Sequence, residues 1–213
     1  MKRAALFDFD GTLCPGDSIV PYLRFCIREG AAPATQWLRA IHGYLRQRCR
    51  PGEIVRAKEE TLSYIRDRDK ADMDELARRF LQKAVLPRLD RAVVSEMEKL
   101  RSMGVRIVIL TASPDVYMNV LPELIPVDQV IATRCELNAE GRYTGRIGAN
   151  CKGEQKVVRW RQADPAGEYE VFRAYGDSAS DAPMLRLARE PVWVNPKRSA
   201  LSELPDARIL RTK

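Results

Sequence analysis

Ala4-Ala5-Leu6-Phe7-Asp8-Phe9-Asp10-Gly11-Thr12 is the stretch from which the fold is read. The apolar run Ala4 to Phe7 has the composition of a buried central strand, and the acids, glycine and threonine behind it mark a strand running into a turn. Because charge returns at Asp8, the run resembles a buried strand more than a signal peptide. Asp8 and Asp10 stand two residues apart as the strand runs into its turn, where both can face one site. A turn by itself calls for only one such acid. The second acid points to chemistry at the strand's end.

Beyond Thr12 the pattern changes period. From about Gly16 to Pro87, Tyr22, Phe25 and Cys26, then Trp37, Ile41, Tyr44 and Leu45, recur three and four residues apart, which predicts helices without an intervening strand. After Pro87, Ala92 to Met103 predicts a helix closed by Gly104, and Val105 to Leu110 a strand. Pro114 through Leu124 starts a further helix, and Val130 to Ile131 forms a short strand. Cys135 to Leu137 and Tyr143 to Ile147 flank a turn using Gly141 and predict a hairpin decorating the main sheet. Lys152 to Gln162 is the next helix, Val171 to Tyr175 a strand, Asp181 to Arg189 a helix, and Val192 to Val194 the final strand. The alternation is that of an α/β protein, a parallel sheet covered by helices. Residues 1–15 and 88–213 form the core, and 16–87 a helical insertion too long for a simple loop. Open parallel sheets bind ligands at the carboxyl ends of their strands, where Asp8, Thr111 and Asp177 are all delivered.

Three further segments supply chemistry. Thr111 ends the second strand with a hydroxyl able to bond a phosphoryl oxygen, and Ser113 before Pro114 is either a competing hydroxyl or a helix N-cap. Lys152 stands at a helix start, where the helix dipole disfavours a cation unless an anion lies nearby. Gly176-Asp177-Ser178-Ala179-Ser180-Asp181 adds two acids after another strand. Acids that must accept a phosphate repel it, and a divalent cation resolves the conflict; Mg²⁺ suits hard carboxylate oxygens.

In order, D-x-D-G-T, the strand-end Thr111, Lys152 and G-D-S-x-S-D resemble the four motifs of the haloacid dehalogenase superfamily. The helical insertion and the C-K-G-E stretch around Lys152 are similar to the phosphoserine phosphatase-like branch, with its C1-type helical cap. The resemblance implies a Rossmann-like core and a cap inserted after the first strand. It also implies that Asp8 attacks phosphorus to form an aspartyl-phosphate, and that Asp10 protonates the leaving alcohol and then activates water. Mg²⁺ would be held by Asp8, the Asp10 backbone carbonyl and Asp177. Asp181 would support the metal shell or orient Lys152, and Thr111 and Lys152 would bind the transferring oxygens. The name-giving dehalogenases lack the second acid, so Asp10 argues for phosphoryl chemistry. Thr111 replaces a serine common in phosphoserine phosphatases, and Ala112-Ser113 replaces a Gly-Gly pair, which leaves the ester open. Asp17 falls where those enzymes place an acid for the substrate's amino group, or it is an N-cap. Arg56 and Lys58 are candidate substrate-binding cations of the cap.

Thirty-six Lys and Arg against 29 Asp and Glu leave a charge of +7, with acids interspersed among the bases, so no obligate nucleic-acid partner is implied. Five cysteines without a C-x-x-C pair argue against a disulfide framework or zinc site, and no apolar stretch is long enough to span a bilayer. A cytoplasmic enzyme acting on a small phosphate ester is expected. The alternatives are a phosphotransferase using the same aspartyl-phosphate, or a non-catalytic polyanion-binding protein. The lone His42 is expected on a helix face.

Overall fold

The computed structural model describes residues 1–212. In chain order it comprises β1 (Lys2–Phe7), α1 (Ile19–Arg28), α2 (Gln36–Cys49), α3 (Ile54–Leu62), α4 (Lys70–Phe80), α5 (Arg91–Ser102), β2 (Arg106–Pro114), α6 (Asp115–Met118), β3 (Gln129–Thr133), β4 (Cys135–Leu137), β5 (Tyr143–Ile147), α7 (Glu154–Ala163), β6 (Tyr169–Gly176), α8 (Ala182–Leu185), β7 (Glu190–Val194), α9 (Arg198–Leu201) and β8 (Arg208–Leu210).

Six strands form one sheet in the order β3-β2-β1-β6-β7-β8, and every neighbouring pair is parallel. β1 is central because it is buried on both faces. Ala5 and Phe7 pack into one apolar cluster and Ala4 and Leu6 into the other, as the two-residue period of a strand requires. Phe7 pairs with Ile109 of β2 on one side and with Tyr175 of β6 on the other, its ring stacked on Tyr175 at 4.3 Å. This register brings Asp8, Thr111 and Asp177 out along one edge. The chain order reverses across β1, so that edge is also the sheet's topological switch point.

Between β1 and α5 lie four helices, α1 to α4, where the periodicity predicted helices. Tyr22, Phe80 and Tyr117 form an aromatic cluster, with centroids 4.5 to 5.7 Å apart, that ties α1 and α4 to α6. The hairpin β4–β5 is a separate two-stranded sheet and does not extend the main one, contrary to the sequence expectation. Its outer edge is taken by the segment before α4: Asp67 N donates to Tyr143 O at 2.8 Å and Tyr143 N to Arg68 O at 3.0 Å. The helix expected from Pro114 is one short turn, α6, with a 3-10 turn at Leu121–Glu123, because Pro122 has no N–H to continue the ladder. α8 is likewise shorter than expected, and β8 adds a sixth strand after Val194. No helix among the described residues is long and apolar enough to cross a membrane.

Candidate active site

Asp8 leaves β1 with its backbone N–H donating to Tyr175 O at 2.9 Å, so the strand's last bond fixes where the carboxylate begins. The turn then passes directly over Asp177. A Cβ on Gly11, whose φ is +88°, would stand 2.6 Å from Asp177 Oδ2, so the glycine of D-x-D-G-T is dictated by close approach. Gly176 obeys the same rule, since a Cβ there would lie 2.5 Å from the Asp181 Cβ.

Asp181 is held from two directions. Its Oδ2 accepts from Ser178 Oγ at 2.9 Å and Ser178 N at 3.1 Å, and its Oδ1 accepts from Lys156 Nζ at 2.7 Å. Lys156 Nζ also donates to Asp8 Oδ1 at 2.6 Å, leaving Asp8 Oδ2 without a partner among the described residues. Lys156, Asp8 and Asp181 are all buried.

The cation that meets the acids is therefore Lys156 on α7. Lys152, the lysine singled out from the sequence, is exposed and precedes the helix, lining the cavity without contacting Asp8. The reason is phase: α7 starts at Glu154, and its buried face comprises Lys156, Val157 and Trp160. A lysine on an apolar helical stripe demands acids inside. That was the legible signal for Lys156.

Burial pushes Asp8 up to about 7, with Lys156 opposing the rise. Burial would lower Lys156, but the Asp8 and Asp181 carboxylates more than reverse it and raise it above the ordinary lysine value. Burial likewise opposes ionisation of Asp181, and Lys156 nevertheless holds it below the usual carboxylate range. Asp10 is pushed up to about 6 by burial, against a hydrogen bond from Ser113.

Carboxylate oxygens of Asp8, Asp177 and Asp181 lie within 4.8 Å of one another, a cluster able to hold a metal ion. Among the described residues the cluster is paired with Lys156 and with Lys197, the latter 2.9 Å from Asp177 Oδ2. The donors are hard oxygens, and Asp8 is under-compensated, so the group fits a divalent cation such as Mg²⁺. Asp181 already has both oxygens engaged, whereas Asp8 retains a free one. Thr111 is buried at the same edge, and its Oγ1 accepts from Ser113 N at 3.0 Å, which leaves its own hydrogen to donate.

These residues floor a cavity of about 760 Å³ whose other wall comes from α1, α2 and α3, with Ile19, Val20, Tyr44, Ile54 and Ala57 on it. Of the candidates expected on that side, Asp17 and Lys58 line the cavity. Asp17 Oδ1 accepts from Ile19 N, the first N–H of α1, at 2.9 Å, just ahead of the N-cap Ser18. Lys58 Nζ donates to Ala112 O at 2.6 Å and Asn150 Oδ1 at 2.7 Å, and burial lowers it to about 8. Arg56 does not join them: its side chain is 68% exposed and lies 3.9 Å from Glu53. Two residues along a helix turn about 200°, so Arg56 and Lys58 point to nearly opposite faces. His42 pairs with Glu60 on the surface, as a helix-face residue does.

The family described as haloacid dehalogenase-like hydrolase matches residues 5–186. Protein CicA of Caulobacter vibrioides is 32% identical over 86% of this chain and 82% of its own length. A histidinol-phosphatase of Neisseria meningitidis is 26% identical over 92% and 91%. Among solved structures, a Bordetella pertussis protein of unknown function superposes with a TM-score of 0.84 at 26% identity, covering 99% of this chain and 98% of that one. An apo phosphoserine phosphatase shares the fold with a TM-score of 0.65 at 17% identity over 100% and 94%.

Proposed function

Because the chain belongs to the haloacid dehalogenase-like hydrolases, and as a phosphoric monoester hydrolase needs a nucleophile, an acid and an anion cradle, we propose that it cleaves a small phosphomonoester through an aspartyl-phosphate on Asp8. The observation that carries this reading is the pairing at the sheet's edge. Asp8 has one oxygen held by Lys156 and one free, and the neighbouring Asp10 is raised toward neutrality. Lys156, and the divalent cation that the acid cluster fits, favour the charged form of Asp8 for attack, while burial favours a proton on Asp10, the division of labour that double displacement requires.

In the first half, the free Asp8 oxygen attacks phosphorus while the ester oxygen departs with the electron pair and takes a proton from Asp10. In the second, water loses a proton to Asp10 as it attacks phosphorus and releases Asp8. Thr111 and Lys156 donate to the transferring oxygens, with Lys152 available at the rim. Asp8, the Asp10 backbone carbonyl and Asp177 would hold Mg²⁺, supported by Asp181, and the ion would neutralise charge on the phosphoryl group. Residues 16–87 act as the cap over a core of 1–15 and 88–213, and Asp17 and Lys58 face the alcohol part of the ester. The similarity to a histidinol-phosphatase, together with Asp17 at the mouth, favours an amino-bearing alcohol. Five free thiols suit a reducing cytoplasm.

The test is phosphate release from a panel of esters, phosphoserine and histidinol phosphate among them, with Mg²⁺ or EDTA. Turnover should require Mg²⁺ and fall by about 10³-fold or more in Asp8→Asn with folding retained. Full activity of Asp8→Asn would overturn the proposal.

A further inference from the structure

Ser113 replaces a glycine of the resembling motif, and the structure gives it a partner. Its Oγ donates to Asp10 Oδ2. Behind it, Ser18 Oγ lies 3.0 Å from Ser113 Oγ, and Tyr117 OH lies 2.9 Å from Ser18 Oγ. All three hydroxyl-bearing residues are buried. Each hydroxyl has one hydrogen to give. Since Ser113 gives its hydrogen to the carboxylate, Ser18 gives to Ser113, and Tyr117 gives to Ser18. The reverse direction would leave the Tyr117 hydrogen without an acceptor among the described residues. The chain therefore runs one way, from α6 through the start of α1 to the end of β2, and it terminates on Asp10.

Asp10 Oδ1, by contrast, is buried with no hydrogen-bond partner among the described residues, and Asp10 lines the cavity. The two oxygens thus have different tasks. Oδ2 is a fixed acceptor, so the proton that Asp10 carries sits on Oδ1. The Tyr117 ring, tilted against Tyr22 and edge-on to Phe80, anchors the far end.

We propose that Ser113, backed by Ser18 and Tyr117, is a positioning residue that fixes Asp10 so that Oδ1 delivers the proton to the leaving alcohol, and that the enzyme is thereby built for esters of poorly leaving alkyl alcohols. The inference rests on the reading of Asp10 as acid and base. In the step concerned, the Asp8–phosphorus bond forms and the phosphorus–ester oxygen bond breaks. The ester oxygen takes the Oδ1 proton, leaving Asp10 as a carboxylate. Water returns a proton to Oδ1 in the second half, so the cycle closes. An aryl ester such as p-nitrophenyl phosphate leaves as a stable anion and does not need that proton, whereas an alkyl alkoxide does.

The experiment measures alcohol release in the first turnover, with the best alkyl phosphate of the panel and with p-nitrophenyl phosphate, for wild type, Ser113→Ala, Ser113→Thr, Tyr117→Phe and Asp10→Asn. Ser113→Ala is expected to slow the alkyl ester about thirtyfold and the aryl ester less than about threefold, a partial loss of the roughly 10²- to 10⁴-fold that general acid catalysis supplies. Ser113→Thr should restore most of the alkyl rate, and Tyr117→Phe should fall between Ser113→Ala and wild type with the same selectivity. Equal losses on both esters, or no loss on either, would overturn the positioning role, as would a wild type that turns over no alkyl ester. If Ser113→Ala does not fold, Tyr117→Phe decides by the same criterion. Asp10→Asn that keeps its alkyl rate would sink the acid–base reading itself, an outcome distinct from a Ser113→Ala that merely leaves Asp10 working.

Discussion

On the sheet side of the cavity the acids are held by cations distant in the chain: Asp8 and Asp181 by Lys156, and Asp177 by Lys197. On the helical side Asp17 bonds only the backbone two residues on, and Arg56 lies near an acid of its own turn. Lys58 is the exception, because its ammonium is bound by core atoms at Ala112 and Asn150. The contrast separates a wall specified by mutual constraint from a wall specified by helix phase alone. Chemistry that must not vary belongs to the first, and selection among esters to the second.

The widest expected gap lies between two lysines four residues apart. Lys156→Ala leaves two buried carboxylates facing each other without their cation, an arrangement that costs about 3 to 5 kcal/mol of stability. It should also lower kcat/KM by about 10³-fold, since a preorganised donor to the phosphoryl group is lost. Lys152→Ala, exposed at the rim, should change stability by less than about 0.5 kcal/mol and raise KM only a few-fold. Thermal unfolding and steady-state kinetics on the pair check both. Equal behaviour of the two variants would erase the distinction between floor and rim.

A second test sharpens the electrostatics of the constrained wall. Asp8 is raised from 3.8 to about 7, so below that pH its carboxyl holds a proton that a cation must displace. Mg²⁺ affinity should therefore climb with pH, by about tenfold per unit below 7, and level off above it. Calorimetric titration at pH 6, 7 and 8 reads the slope, and in Asp8→Asn the slope should vanish. A flat profile in the wild type would show that Asp8 is already ionised without metal, or does not touch it.

The two walls also differ in how far the sequence disclosed them. The acids at the ends of β1 and β6 were legible because an apolar strand followed by closely spaced acids has few purely structural uses, and the register of three parallel strands then brings them together. Lys156 is harder to pick from the sequence than Lys152, because helix starts are uncertain by a residue or two and the start of α7 at Glu154 sets which face is buried. The hydroxyl chain from Tyr117 to Asp10 was illegible for a different reason. Its members come from three segments, and nothing in the spacing of Ser18, Ser113 and Tyr117 marks them as neighbours. The hairpin was found, but its attachment was not, since edge pairing with residues 67–69 depends on where the helical segment returns.

The smallest expected effect lies on the helical wall itself. Arg56→Ala removes a solvent-exposed guanidinium and should leave kcat and KM within about twofold. Lys58→Ala removes a cation that lines the cavity and should raise KM about fivefold with kcat less affected, as loss of uniform substrate binding does. The pH dependence identifies the cause. Burial lowers Lys58 to about 8, so it is charged below that pH and neutral above it. If its charge holds the anionic ester, the wild-type KM should rise as pH passes 8, and the KM of Lys58→Ala should not follow. A wild-type KM that stays level through pH 9 would make Lys58 a strut between Ala112 and Asn150, and would leave Asp17 as the one charged selector on that wall.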